Sequence, residues 1–174
     1  MKKFTQIMKM WCFFYAAATF FIISGFLITD SLTEDSVFLK NRLVAHYDDQ
    51  FAAKQVTQYE LSVTSTGFCR YKRIDQDGKI EYFAFNFLRY KDADFLGTSA
   101  RGFLYLRTKE DDVIVQTYKD RRGDVDSMAN YLMIIPLKQV EAEDLNNLAA
   151  RFVSMRETLR KQQTQLSLRD VKQQ

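Results

Sequence analysis

The sequence predicts an α+β fold: one apolar N-terminal helix, then an antiparallel β-meander forming a sheet or partial barrel, with helices flanking it. Three observations predict it. Residues 10–29 form a run of twenty without a charge. From Thr57 the apolar period changes to two, and the strands are separated by hairpin-type turns. Residues 139–161 then return to three- and four-residue steps. No strand–helix–strand crossover is spelled out, so a parallel nucleotide-binding sheet is not expected. At 174 residues the chain has the length of one domain. A hydrophobic fraction of 47% beside 27% charged residues excludes both wholesale disorder and a polytopic membrane protein.

The N-terminal run sets the expected location. At about 1.5 Å per residue it covers roughly 30 Å, the hydrocarbon thickness of a bilayer. Trp11 and Tyr15 stand near its start, where amphipathic rings favour the interface. Lys2, Lys3 and Lys9 precede it, and Asp30, Glu34 and Asp35 follow. The positive-inside bias therefore predicts a cytoplasmic stub over 1–9, a transmembrane helix over 10–29 and an exported body. The expected home is a bacterial inner membrane, crossed once, with the C-terminal domain periplasmic. The competing reading is a signal peptide cleaved after Ala16-Ala17-Ala18. Cleavage there would leave Phe20, Phe21, Ile22, Ile23 and Phe26 as an exposed apolar terminus, so an uncleaved anchor is expected.

The charge balance narrows the partners. The three leading lysines account for the formal net charge of +3, and from Asp30 onward 22 basic residues meet all 22 acidic ones. A neutral body has no surplus with which to neutralise phosphates, so no nucleic-acid binding is expected.

A helical connector is predicted over 30–56, where Val37, Phe38, Leu39, Leu43, Val44, Tyr47, Phe51 and Ala52 recur at helical spacing. Ser31 and Glu34 have the spacing of a capping box ahead of it. Strands are expected over 57–64 and 68–74, then a turn at Asp75-Gln76-Asp77-Gly78 and a long strand over 79–90. Residues 91–101 read as a polar loop, 102–108 and 113–118 as a hairpin closed by residues 109–112, and 119–127 as a charged loop. A sixth strand over 131–137 holds Pro136, which suits an edge. In the closing helix Leu145, Leu148, Ala149, Phe152, Met155 and Leu159 form the apolar face. The exported domain is thus 57–161, and the Gln-rich tail, 162–174, is expected to fray or to add a short strand.

The long strand holds the candidate site. Phe83, Phe85 and Phe87 lie in one register, and Ile80, Tyr82, Ala84, Leu88 and Tyr90 in the other, so both faces are apolar. Such a strand is either central and buried on both sides, or turns one face to a cavity or partner. Tyr82, Phe83, Phe85 and Phe87 are the residues expected to face that ligand or partner.

Recognisable catalytic chemistry is absent. His46 is the only histidine, no G-x-S-x-G or phosphate-binding glycine loop occurs, and Cys12 and Cys69 form no C-x-x-C. No catalytic residue, metal site, cofactor or enzymatic activity is expected. Asp75, Asp77 and Gly78 lack the downstream Glu of a calcium loop, and Arg122-Gly123-Asp124 reads as turn chemistry.

Val63-Thr64-Ser65 on the first strand, Tyr71, and the Asp77-Gly78 turn into an aromatic-rich strand complete a wider pattern. With the stub, single span and exported meander, the chain resembles the ToxS and VtrC type of bacterial membrane regulator. The resemblance covers residues 57–90 together with size and topology. Those small proteins sit beside a membrane-bound transcription activator and complete or protect its periplasmic domain. It implies a lipocalin-like barrel shared with a partner membrane protein, able to take a bile-salt-like or lipid ligand. The expected function is therefore a membrane-anchored accessory protein that stabilises or regulates an activator of the ToxR kind. The alternative is a bitopic structural subunit of a secretion, conjugation or pilus assembly.

Overall fold

The computed structural model describes residues 31–50 and 55–171. The stub, the proposed span at 10–29 and Cys12 lie outside them, and so do Phe51 and Ala52. Among the described residues no helix is long and apolar enough to cross a membrane. The fold is α+β and antiparallel. Helix α1 covers residues 31–46; then follow β1 (Val56–Val63), β2 (Phe68–Asp75), β3 (Ile80–Asn86), β4 (Tyr90–Gly97), β5 (Arg101–Thr108), β6 (Val113–Tyr118), β7 (Val125–Asn130) and β8 (Leu132–Lys138), and α2 (Ala142–Val171) closes the chain.

The strands divide into two sheets, one ordered β1-β2-β3-β6-β7 and the other β4-β5-β8. Local chemistry dictates where the chain changes sheet. The expected long strand ends at Asn86, whose side-chain oxygen accepts the Leu88 N–H at 2.9 Å and starts a 3-10 turn over Phe87–Arg89. That turn swings the chain into the second sheet. Residues 109–112 do not close a hairpin, because β5 pairs with β4 and β8 whereas β6 pairs with β3 and β7. They form a second crossing, held by Arg89 to Glu110 at 3.0 Å and to Asp112 at 2.9 Å. The third crossing is at Tyr131, whose carbonyl accepts the Thr108 N–H at 3.0 Å.

Two expected loops are strands. Residues 91–101 have the composition of a polar loop, yet Tyr90–Gly97 is β4, and Arg107 on β5 pairs across to Asp92 at 3.0 Å and Asp94 at 3.5 Å. Charges that read as loop are cross-strand ion pairs on an edge strand. Residues 125–127 of the second expected loop, together with 128–130 after it, form β7, the edge of the larger sheet. The tail also differs: α2 runs on through the Gln-rich segment to Val171, so residues 162–171 are helical. Gln, Leu and Arg are good helix formers, and continuing a helix needs no new nucleus. Pro136 does sit on an edge strand, β8. Ser31 is already helical, so the Ser31–Glu34 spacing does not cap α1.

One core joins both sheets and both helices. α1 contributes Leu32, Leu39 and Leu43, α2 contributes Leu148, Phe152, Met155 and Leu159, and β8 contributes Met133, Ile135 and Leu137. Ala149, expected on that helical face, is exposed. Gly67, at φ +88, lies against Leu159: a Cβ there would stand 2.5 Å from that side chain. The helices are tied by Asp35, which is 1% exposed and accepts from Arg151 at 2.6 Å and Ser154 at 2.8 Å. A buried carboxylate needs those donors, since losing its hydration without them would be costly.

Candidate partner interface

The two faces of the larger sheet differ in composition. Alternation along β2 turns Cys69 and Tyr71 inward, both fully buried, and Phe68, Arg70, Lys72 and Ile74 outward. Register then fixes the neighbours: Arg70 pairs with Ala84 and Ala84 with Ile114, while Lys72 pairs with Tyr82 and Tyr82 with Gln116. The outer face is thus a patchwork of apolar rings and aliphatics with two cations. Lys72 Nζ stands 5.2 Å from the Tyr82 ring and the Arg70 guanidinium 5.1 Å from Phe68. Tyr82 meets Tyr118 edge-on at 5.8 Å. Ile114 is 50% exposed, and none of these side chains belongs to the core cluster.

The inner face holds the other three expected site residues. Phe85 and Phe87 are 2% and 0% exposed, and their rings meet at 5.2 Å. Phe87 also stacks on Phe152 of α2 at 5.7 Å. Phe83 is half-buried and stacks on Tyr71 at 5.7 Å. Tyr82 therefore stands apart from the three phenylalanines, on the opposite face of the same strand.

Beyond the phenylalanines the inner face turns polar. Tyr47, just past α1, shares a 2.7 Å hydroxyl–hydroxyl bond with Tyr71 and stacks on Tyr59 at 3.7 Å. Burial, reinforced by that bond, raises the Tyr47 phenol well above its ordinary range. Burial also raises Tyr71, and pushes the Cys69 thiol up to about 12. On its own burial would disfavour the Arg73 and Glu81 charges, but their 2.5 Å ion pair reverses this, raising Arg73 and holding Glu81 below the usual carboxylate value. Lys79 adds a second contact to Glu81 at 3.1 Å. This tyrosine cluster escaped the sequence reading, because Tyr47 and Tyr71 meet only through tertiary packing.

His46, the sole histidine, faces the Lys138 carbonyl through Nδ1 at 3.2 Å and Asp144 through Nε2 at 3.7 Å. It joins α1 to the start of α2 with no nucleophile among these contacts. Among the described residues no group of three or more His, Cys, Asp or Glu side chains gathers as a metal site.

β7 extends the outer face to a free edge. Its first five residues are all exposed, Met128 by 51%, and no strand pairs beyond it among the described residues. No protein-family model, curated protein or solved structure matches this chain.

Proposed function

We propose that the chain is a membrane-anchored accessory protein whose exported domain binds and stabilises or regulates a partner membrane protein, such as a transcription activator of the ToxR kind. One observation supports it above the rest: the outer face of β2, β3 and β6 combines exposed apolar side chains with cations and contributes nothing to the core. Such a face, bordered by an unpaired edge strand, is the composition of an interface rather than of an ordinary solvated sheet. A partner strand added along β7 would extend the sheet beside Ala129, the neighbour of Ile114, and the rest of the partner would lie over the outer face. The barrel shared with a partner enters the proposal in that form. The leading lysines and the uncharged run at 10–29 support the anchor and its orientation.

The test is site-specific photo-cross-linking in cells from position 114 or 128, with position 161 on exposed α2 as the control. The reading expects one membrane protein to be trapped from both sheet positions, and the product from position 128 to be lost on Ile114→Arg. Equal products from all three positions, or none from 114 and 128, would refute it.

A further inference from the structure

The β2–β3 turn and the β6–β7 loop meet at one end of the larger sheet, because β3 and β6 are neighbours and Ile80 pairs with Tyr118. Between them lies a cleft of about 390 Å³ lined by Asp77, Lys79, Lys119, Asp120, Arg121 and Arg122. Four of the six are cations. Both acids are already engaged by cations of the cleft. Asp120 binds Lys79 Nζ at 2.7 Å, and Asp77 faces Arg121 at 3.5 Å. The Asp120 carboxyl is held below its ordinary value, first by the Lys79 contact and then by the Arg122 N–H at 3.0 Å. These contacts tie the two turns together and engage both acids that line the cleft. Lys119 and Arg122 make no ion pair among the described residues, so the six lining side chains hold four cations against two acids. Lys119 also holds a left-handed backbone, φ 59, a conformation that non-glycine residues rarely adopt.

We propose that this cleft is an anion site for a phosphate group, with Lys119 and Arg122, which no carboxylate contacts in an ion pair among the described residues, as its principal cations. Lys79 and Arg121 line the same cleft while fastening it. The guanidinium fork matches phosphate oxygens in pairs, and the lysine adds a mobile point charge. The neutral charge of the whole body hides the site, since the surplus exists only where two turns converge. The phosphate belongs either to a free oligophosphate or to an anionic lipid headgroup. The inference stands apart from the partner reading, because the outer sheet face is not among the lining residues.

The experiment titrates the full chain in nanodiscs of phosphatidylcholine with pyrophosphate and follows the amide resonances of residues 77–79 and 119–124. A second arm replaces part of the lipid by phosphatidylglycerol. Saturable shifts confined to the two turns in the first arm establish a soluble phosphate ligand. Shifts only in the second establish a headgroup. The double variant Lys119→Ala/Arg122→Ala should weaken either response at least tenfold with an unchanged melting temperature, and Lys119→Arg should retain it. No saturable shift in either arm, or an undiminished response in the double variant, overturns the proposal.

Discussion

β3 carries two different surfaces back to back. Its inward residues enter two ring groups: Phe83 stacks on Tyr71, while Phe85 meets Phe87 edge-on and Phe87 stacks on Phe152 of α2. Its outward residues, Tyr82 and Ala84, meet Lys72, Tyr118 and Ile114 without entering the core. Both registers are equally apolar as sequence, so hydropathy alone does not distinguish them. Supporting elements make the difference: α2 packs on the 3-10 turn and β4, and its Phe152 fills the space against Phe87. A ring on one side stabilises the fold, and a ring on the other is available to a second molecule.

The contrast is broken most strongly from inside. Phe85→Ala should cost about 3–5 kcal/mol, as buried Phe truncations do, measured by urea unfolding. Phe152→Ala should cost about as much, since Phe152 is fully buried against Phe87 and Tyr90. On the outer face Ile114→Ser should change stability by no more than about 0.5 kcal/mol. Equal losses at positions 85 and 114 would mean that the outer face is packed after all.

A smaller effect probes the polar end of the inner face. Tyr47→Phe removes one of the Tyr71 hydroxyl's bonds, leaving that to Arg73, and should cost about 0.5–1.5 kcal/mol. Tyr59→Phe, at an exposed ring whose stacking is retained, should be near neutral by the same measurement.

Protonation sharpens the same comparison. Glu81 titrates below its unfolded value of 4.5, so its contribution is present above that pH and fades as the pH falls through the lower folded value. Glu81→Gln should therefore flatten the acid limb of stability against pH, as urea unfolding measured across that range would show. Cys69 behaves oppositely. Its thiol rises from 9.0 to about 12, so its contribution is complete below pH 9 and is lost between 9 and 12. At pH 8 alkylation of Cys69 should be slow in the folded chain and rapid in urea, as peptide mapping would show.

The sequence discloses periodicity more readily than pairing. β1, β2 and the closing helix are legible because alternation and helical spacing follow directly from which side is buried. β4 is not, because Lys91, Asp92 and Asp94 read as a loop until Arg107 stands opposite them. β7 is not, because a strand exposed on both sides leaves no alternation to read. Residues 109–112 have turn chemistry, which specifies a change of direction but not the sheet to which the next strand belongs. For the candidate site the sequence assembles four aromatics on one strand. Their division between core and surface depends on α2, which begins 55 residues after Phe87 in the chain.

The most direct measurement pairs two variants, Phe85→Ala and Ile114→Arg, in the full chain and reads melting temperature together with cross-linking from position 128. The account predicts that Phe85→Ala lowers the melting temperature, while cross-linking persists in the fraction that remains folded. Ile114→Arg should keep the melting temperature and abolish the cross-link. Loss of stability in Ile114→Arg, or a cross-link that survives it undiminished, would contradict the assignment of the outer face to a partner.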